Sequence, residues 1–288
     1  MVKRIITFIT CIWVLSILVF SCKTESSIHK TDNTVDTNLL SSQMINGKLN
    51  GWFSVSKTKK IQFSQGNLQY QASTNTWRFA ENQWDFCGKD NENISPIYDG
   101  WIDLFGWGTG DNPTQHSKND NDYKSFRDWG DNLLTNVSYR WRTLTKDEWV
   151  YLFDKRKTNS GIRYAKVTIG DIKGIVLLPD DWNRSNYVFS EFNESDMSYS
   201  DDIISQKDWS TMFEDNGAVF LPAAGVRIDT WASVDCTKGN YWSSTPSGRE
   251  GNGLFAYNLS FTPDIWLWVD NEIYRHYGKS VRLVCDVK

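Results

Sequence analysis

Chemistry needs side chains that can take up a proton, a metal or a new bond, and in this chain few of them stand at useful spacings. The three histidines lie far apart, so no His/Cys zinc pattern forms. His276 has no recognisable Asp and Ser partners, the Gly-x-Ser-x-Gly turn of a serine hydrolase is absent, and no Gly-rich phosphate loop precedes a helix. Asp180/Asp181 and Asp201/Asp202 are acid pairs, but neighbours on a strand point to opposite faces, so they read as turns rather than as a glycosidase pair. Asp111, Asn112, Asp120, Asp122, Asp128 and Asp131 are hard oxygen ligands of the kind calcium takes, yet their spacing does not match a calcium loop. They read as solvated loop carboxylates. No metal and no cofactor is expected, and the chain reads as a non-catalytic protein.

Recognition chemistry is better represented. Trp266 and Trp268 are two apart and share a face if their segment is extended, with Tyr257, Asn258, Tyr274, Arg275 and His276 around them. Exposed Trp, Tyr and Arg dominate binding hot spots and stack on sugar or peptide surfaces. These seven residues form the expected ligand-binding set. The competing reading sends both indoles inward to close the domain.

The elements that must hold such a set follow from alternation. Residues 239–245, 256–261 and 277–284 alternate apolar and polar side chains between Gly, Pro, Asp and Asn breaks, as half-buried strands of one antiparallel sheet do. Residues 262–276 then form an aromatic-rich loop carried on that sheet. Earlier, residues 52–56, 60–64, 66–70 and 76–79 read as antiparallel strands. Residues 100–131 lack periodicity, and their spaced rings predict an ordered loop pinned to the body. Thr145 and Glu148 form a capping box ahead of Trp149, Leu152 and Phe153, which share one buried helix face. Residues 162–167 and 174–179 read as strands, the second central because it is almost continuously apolar, and 209–213 reads as a short helix.

Composition sets the surroundings. A formal net charge of -4 and a pI near 5.5 leave no basic surface for nucleic acid. Fifteen Trp without a long helical pattern favour β structure with aromatic-pinned loops. Lys3 and Arg4 precede an apolar run over residues 5–20, shorter than a bilayer span, which predicts an export signal over 1–21. Val19-Phe20-Ser21-Cys22 resembles a bacterial lipobox, which makes Cys22 the expected site of lipidation and the membrane the first partner. The alternative is an uncleaved N-terminal anchor. Residues 22–50 are too polar to build a core and read as a flexible stalk, leaving 51–288 as one domain. An oxidising compartment allows one disulfide among Cys87, Cys236 and Cys285, with one thiol left over.

One resemblance gathers several of these stretches. Trp141-Arg142-Thr143-Leu144-Thr145-Lys146-Asp147-Glu148-Trp149, Leu177-Leu178-Pro179-Asp180, Leu221-Pro222-Ala223-Ala224-Gly225-Val226-Arg227, Tyr241-Trp242-Ser243-Ser244 and Val281-Arg282-Leu283-Val284 resemble the Fibrobacter succinogenes major paralogous domain. That family is related to the formylglycine-generating-enzyme and C-type-lectin-like fold. The resemblance spans residues 52–284. It implies an α+β, C-type-lectin-like domain with a small twisted antiparallel sheet and long loops, in exported or surface proteins, with residues 254–276 as the binding face. It also implies a sheet that brings Cys236 near Cys285, while the sequence itself leaves Cys87 with Cys285 open as the other pairing. The paired late cysteines of a copper- or thiol-based oxidase, and the Trp-Asn-Asp of calcium-dependent sugar-binding lectins, have no match here. The expected function is envelope-tethered recognition of a protein or glycan, in an outer-membrane lipoprotein that faces the cell surface. The alternatives are an enzyme on the related scaffold and a structural envelope component.

Overall fold

Among the described residues, Thr145 opens the helix with a full capping box. Its hydroxyl accepts from Glu148 N, and the Glu148 carboxylate accepts from Thr145 N at 2.9 Å, so each satisfies one orphan donor of the first turn. Helix α1 (Lys146–Val150) continues into a π-helical turn over Tyr151–Lys155, and the predicted face of Trp149, Leu152 and Phe153 is buried. Each of these side chains contributes roughly 1.5–3 kcal/mol by leaving water. The structure, a computed structural model, describes residues 47–133, 139–248, 253–263 and 267–288. The export signal, Cys22, most of the expected stalk, Asp264 and Trp266 lie outside the described residues.

The architecture is α+β, with mostly antiparallel sheets and few, short helices. The first sheet joins the two ends of the chain in the order β1 (Phe53–Ser54), β2 (Lys60–Phe63), β15 (Leu283–Asp286), β5 (Arg142–Thr143). A hairpin follows from β3 (Leu68–Gln71) and β4 (Thr76–Phe79). In the second four-stranded sheet the order is β8 (Ile203–Ile204), β6 (Tyr164–Ile169), β7 (Ile172–Leu177), β9 (Val219–Pro222). The apolar β7 is internal and almost wholly buried, as its sequence requires. Helix α2 (Gln206–Asp208) leads into a π-helical turn over Trp209–Glu214. A small hairpin of β10 (Val226–Ile228) and β11 (Trp231–Ser233) precedes a three-stranded sheet ordered β12 (Gly239–Pro246), β13 (Phe255–Phe261), β14 (Leu267–Tyr274).

This last sheet separates two cores. Tyr241, Leu259, Phe261 and Val269 join one cluster, while Trp242 and Ala256 join another. The long loop over 100–131 is held as expected, with Phe105, Trp107, Tyr123 and Trp129 buried. Three expectations need correction. Residues 267–274 form a strand rather than a recognition loop, because Leu267 and Val269 supply apolar contacts and β13 offers a free edge. Residues 277–284 are not one strand: Gly278, Lys279 and Ser280 each bridge a different segment, at Arg227, Phe105 and Tyr241, before β15 begins. The folded body also reaches back to Gly47, whose carbonyl accepts from Gln65 N, and Leu49 is buried in the core.

Candidate functional site

The C-terminal face is only partly the surface that the sequence predicts. Trp268 and Tyr274 are 45% and 40% exposed, and Tyr257 is half-buried. Tyr257 stands opposite Glu272, whose hydrogen bond to it raises the phenol pKa, and Lys146 Nζ lies 4.9 Å from its ring. Arg275 and Asn258 must be removed from the set. Arg275 is buried, donates through Nε to Phe255 O at 3.0 Å and through Nη1 to Tyr123 O and Lys124 O at 3.3 Å, and lies 4.2 Å over the Trp107 ring. Burial lowers its pKa. Asn258 is buried on the opposite side of β13 from Tyr257, donating to Leu259 O and accepting from Asn271. His276 Nδ1 lies 2.8 Å from Asp120 Oδ1, with both side chains largely covered, so this pair ties the long loop to the end of β14.

The expected disulfide is also corrected. Cys87, Cys236 and Cys285 are free thiols. Cys285 is buried on β15 among the rings of one core, whereas Cys236 packs against another that contains Trp209 and Phe213. Burial, followed by the charge of Asp103, pushes the Cys87 thiol well above its ordinary value, so it is a poor nucleophile. Among the described residues no group of three His, Cys, Asp or Glu side chains is placed to hold a metal ion. Asp128 accepts from Gly130 N, Thr143 N and Thr143 Oγ1 instead.

Another concavity among the described residues lies beside the first strand. A hollow of about 670 Å³ opens beside Trp52, whose indole is 51% exposed. Its walls come from the residues before β1, from the turn after β7 and from the turn before β9, and they carry mainly amides and carboxylates. Among the described residues, the side chains of Asn50, Asp181, Asn186 and Asp215 make no intramolecular hydrogen bond, so their capacity faces solvent. Asn216 donates to Met212 O, and Asn183 accepts from Ser185 N, which fixes both amides at the rim.

The frame under this hollow is rigid. Asp180 N donates to Trp52 O at 2.9 Å, and its carboxylate accepts from Ser54 N, from Ser54 Oγ at 2.6 Å and from Arg156 Nη1 at 3.2 Å. Burial pulls the Arg156 guanidinium down to about 10, against the opposing pull of Asp180. Gln62 Nε2 holds the chain at Leu49 O and Asn50 O. At the floor the backbones of Gly51 and Gly217 touch: a Cβ on Gly51 would sit 2.0 Å from Gly217 O, and Gly217 has a φ of +80°. Trp182 is buried beneath the turn and stacks on Phe213 at 5.5 Å. Sequence reasoning missed this site because Asp181-Trp182-Asn183-Arg184-Ser185-Asn186 carries the residue types of an ordinary turn. Trp52 read as part of the first strand, whereas it stands exposed just ahead of β1.

Comparison with family models, with curated proteins and with solved structures found no match to this chain.

Proposed function

We propose that the mature protein is a non-catalytic recognition domain, held at the bacterial outer membrane by a lipid on Cys22, and that it binds a glycan in the groove beside Trp52. The lipobox-like tetrapeptide and polar stalk support the tether. The motif resemblance, together with antiparallel sheets and long ring-pinned loops, supports assignment to the C-type-lectin-like major paralogous group.

The observation that carries the ligand class is a half-exposed indole at the edge of an open hollow lined by unpaired amides and carboxylates. A pyranose offers an apolar C–H face for such a ring and a fringe of hydroxyls that both donate and accept. Amide and carboxylate groups match that fringe. Of the two ligand classes that recognition allows, protein and glycan, this lining favours the glycan. Trp268 and Tyr274 would serve as secondary contacts on the other face.

A glycan array probed with the mature protein tests the reading. Wild type should give discrete hits, and Trp52→Ala should weaken them about tenfold or more while unfolding stability changes by no more than about 0.5 kcal/mol. An array without hits would remove glycan recognition and leave the structural-component reading. Release of reducing ends from a bound glycan would overturn the non-catalytic assignment and direct attention to Asp181 and Asp215.

A further inference from the structure

A second hollow of about 350 Å³ adjoins the first, and the two share Asp181, Trp182 and Asn183 as a common wall. Its far side is formed by Asn159, Ser160 and Arg184. The two hollows are built on one connected piece of backbone: Asp180 N donates to Trp52 O on one side, and Asn159 N donates to Asp180 O at 2.7 Å on the other. The shared turn is stiff as well, since Trp182 N donates to Pro179 O, Asn186 N donates to Asn183 O, and the Trp182 ring is clamped on Phe213. A ligand crossing it meets a preformed path and loses little affinity to protein ordering.

Both signs of charge stand along this path. Asp181 and Asp215 face the first hollow. Lys60 Nζ lies 3.6 Å from Asp180 and 5.9 Å over the Trp52 ring, and Arg184, on the wall of the second hollow, donates through Nε to Ser160 O at 2.7 Å.

Resting on the glycan reading above, we propose that the ligand is a linear oligosaccharide whose chain runs from Trp52 across the Asp181–Asn183 turn into the hollow beside Asn159. One sugar unit lies against the indole and later units occupy the second hollow.

The test is calorimetric titration of the mature protein with glucose, xylose, mannose, N-acetylglucosamine and galacturonate oligomers of increasing length. For at least one series, affinity should rise about tenfold or more from monosaccharide to plateau. Asn159→Trp, at an exposed position whose backbone bond to Asp180 is retained, should fill the second hollow. It should reduce binding of the long oligomers to the level of the short ones and leave the short ones unchanged, whereas Trp52→Ala should weaken every length. Equal affinity at all lengths, or no effect of Asn159→Trp, would overturn this inference while leaving glycan recognition standing. Absence of binding by every oligomer, alongside a blank array, would overturn both.

Discussion

Arg275 shows how a residue type associated with binding can instead be a fastener. Its guanidinium satisfies three backbone carbonyls from two distant segments and covers the Trp107 ring, so Arg275→Ala leaves those carbonyls unpaired in the interior. A cost of about 3 kcal/mol in urea denaturation is expected, against about 0.5 kcal/mol for a true surface contact. Lys279 poses a different problem. Its ammonium donates only to Asn240 Oδ1, 2.9 Å away, lies 5.4 Å from the Trp242 ring, and burial lowers its pKa to about 7. Between that value and the unfolded value of about 10.5, the unfolded chain binds a proton that the folded chain does not, so this residue makes stability rise with pH. The buried cysteines and tyrosines act oppositely from about pH 8.5, because their raised folded pKa values favour the unfolded state as pH climbs. Lys279→Met isolates the lysine's share. The variant should be more stable than wild type near neutrality, and its advantage should shrink by up to about 1.4 kcal/mol per pH unit on the alkaline side. Urea midpoints of both proteins across that range would measure it, and a constant difference would rule it out.

At the scale of elements, what the sequence revealed and what it hid have identifiable causes. The capping box of α1 was legible because every contact lies within four residues. What was not legible is that Glu148 also grips Arg142 through both oxygens, at 2.7 and 2.8 Å. Burial alone would drag the Arg142 guanidinium down, but Glu148 and Asp286 outweigh it and hold it above its ordinary value. Thr145→Ala should therefore cost about 1 kcal/mol, and Glu148→Ala about 2 kcal/mol or more, since it removes a cap and a charge-assisted pair together. Equal costs in chemical denaturation would mean that the pair adds nothing. Strand β14 escaped notice for a physical reason. Asn258 and Ser260 pair with Asn271 and Trp268, so two residues of β14, Val269 and Asp270, stand against one of β13, Leu259, and the extra residue breaks the alternation that marks a strand.

Across the whole molecule, local patterns were legible and their assembly was not. Apolar alternation located most strands, but it carried no information about partners such as β2 with β15, or about loops from three parts of the chain meeting at the groove beside Trp52. The expected pairing of Cys236 with Cys285 failed for the same reason, since pairing depends on which core each residue enters. The first sheet makes this dependence testable. β15 lies inside it, between β2 and β5, and Val284 packs in one core while Leu283 and Cys285 pack in another. Removing residues 283–288 would strip β2 of one of its two partners and β5 of the strand it pairs with, and uncover apolar surface in two cores at once. A chain truncated after Arg282 should lose its cooperative thermal transition and become sensitive to protease throughout residues 47–282, including at the groove, whose Gln62 pairs with Cys285. Such long-range closure also predicts that folding waits for the C-terminus, because no earlier segment can replace that strand. If the truncated chain instead kept a cooperative transition and bound glycan like wild type, the sheet uniting the two ends would be dispensable, and the groove would be supported by the β6–β9 layer alone.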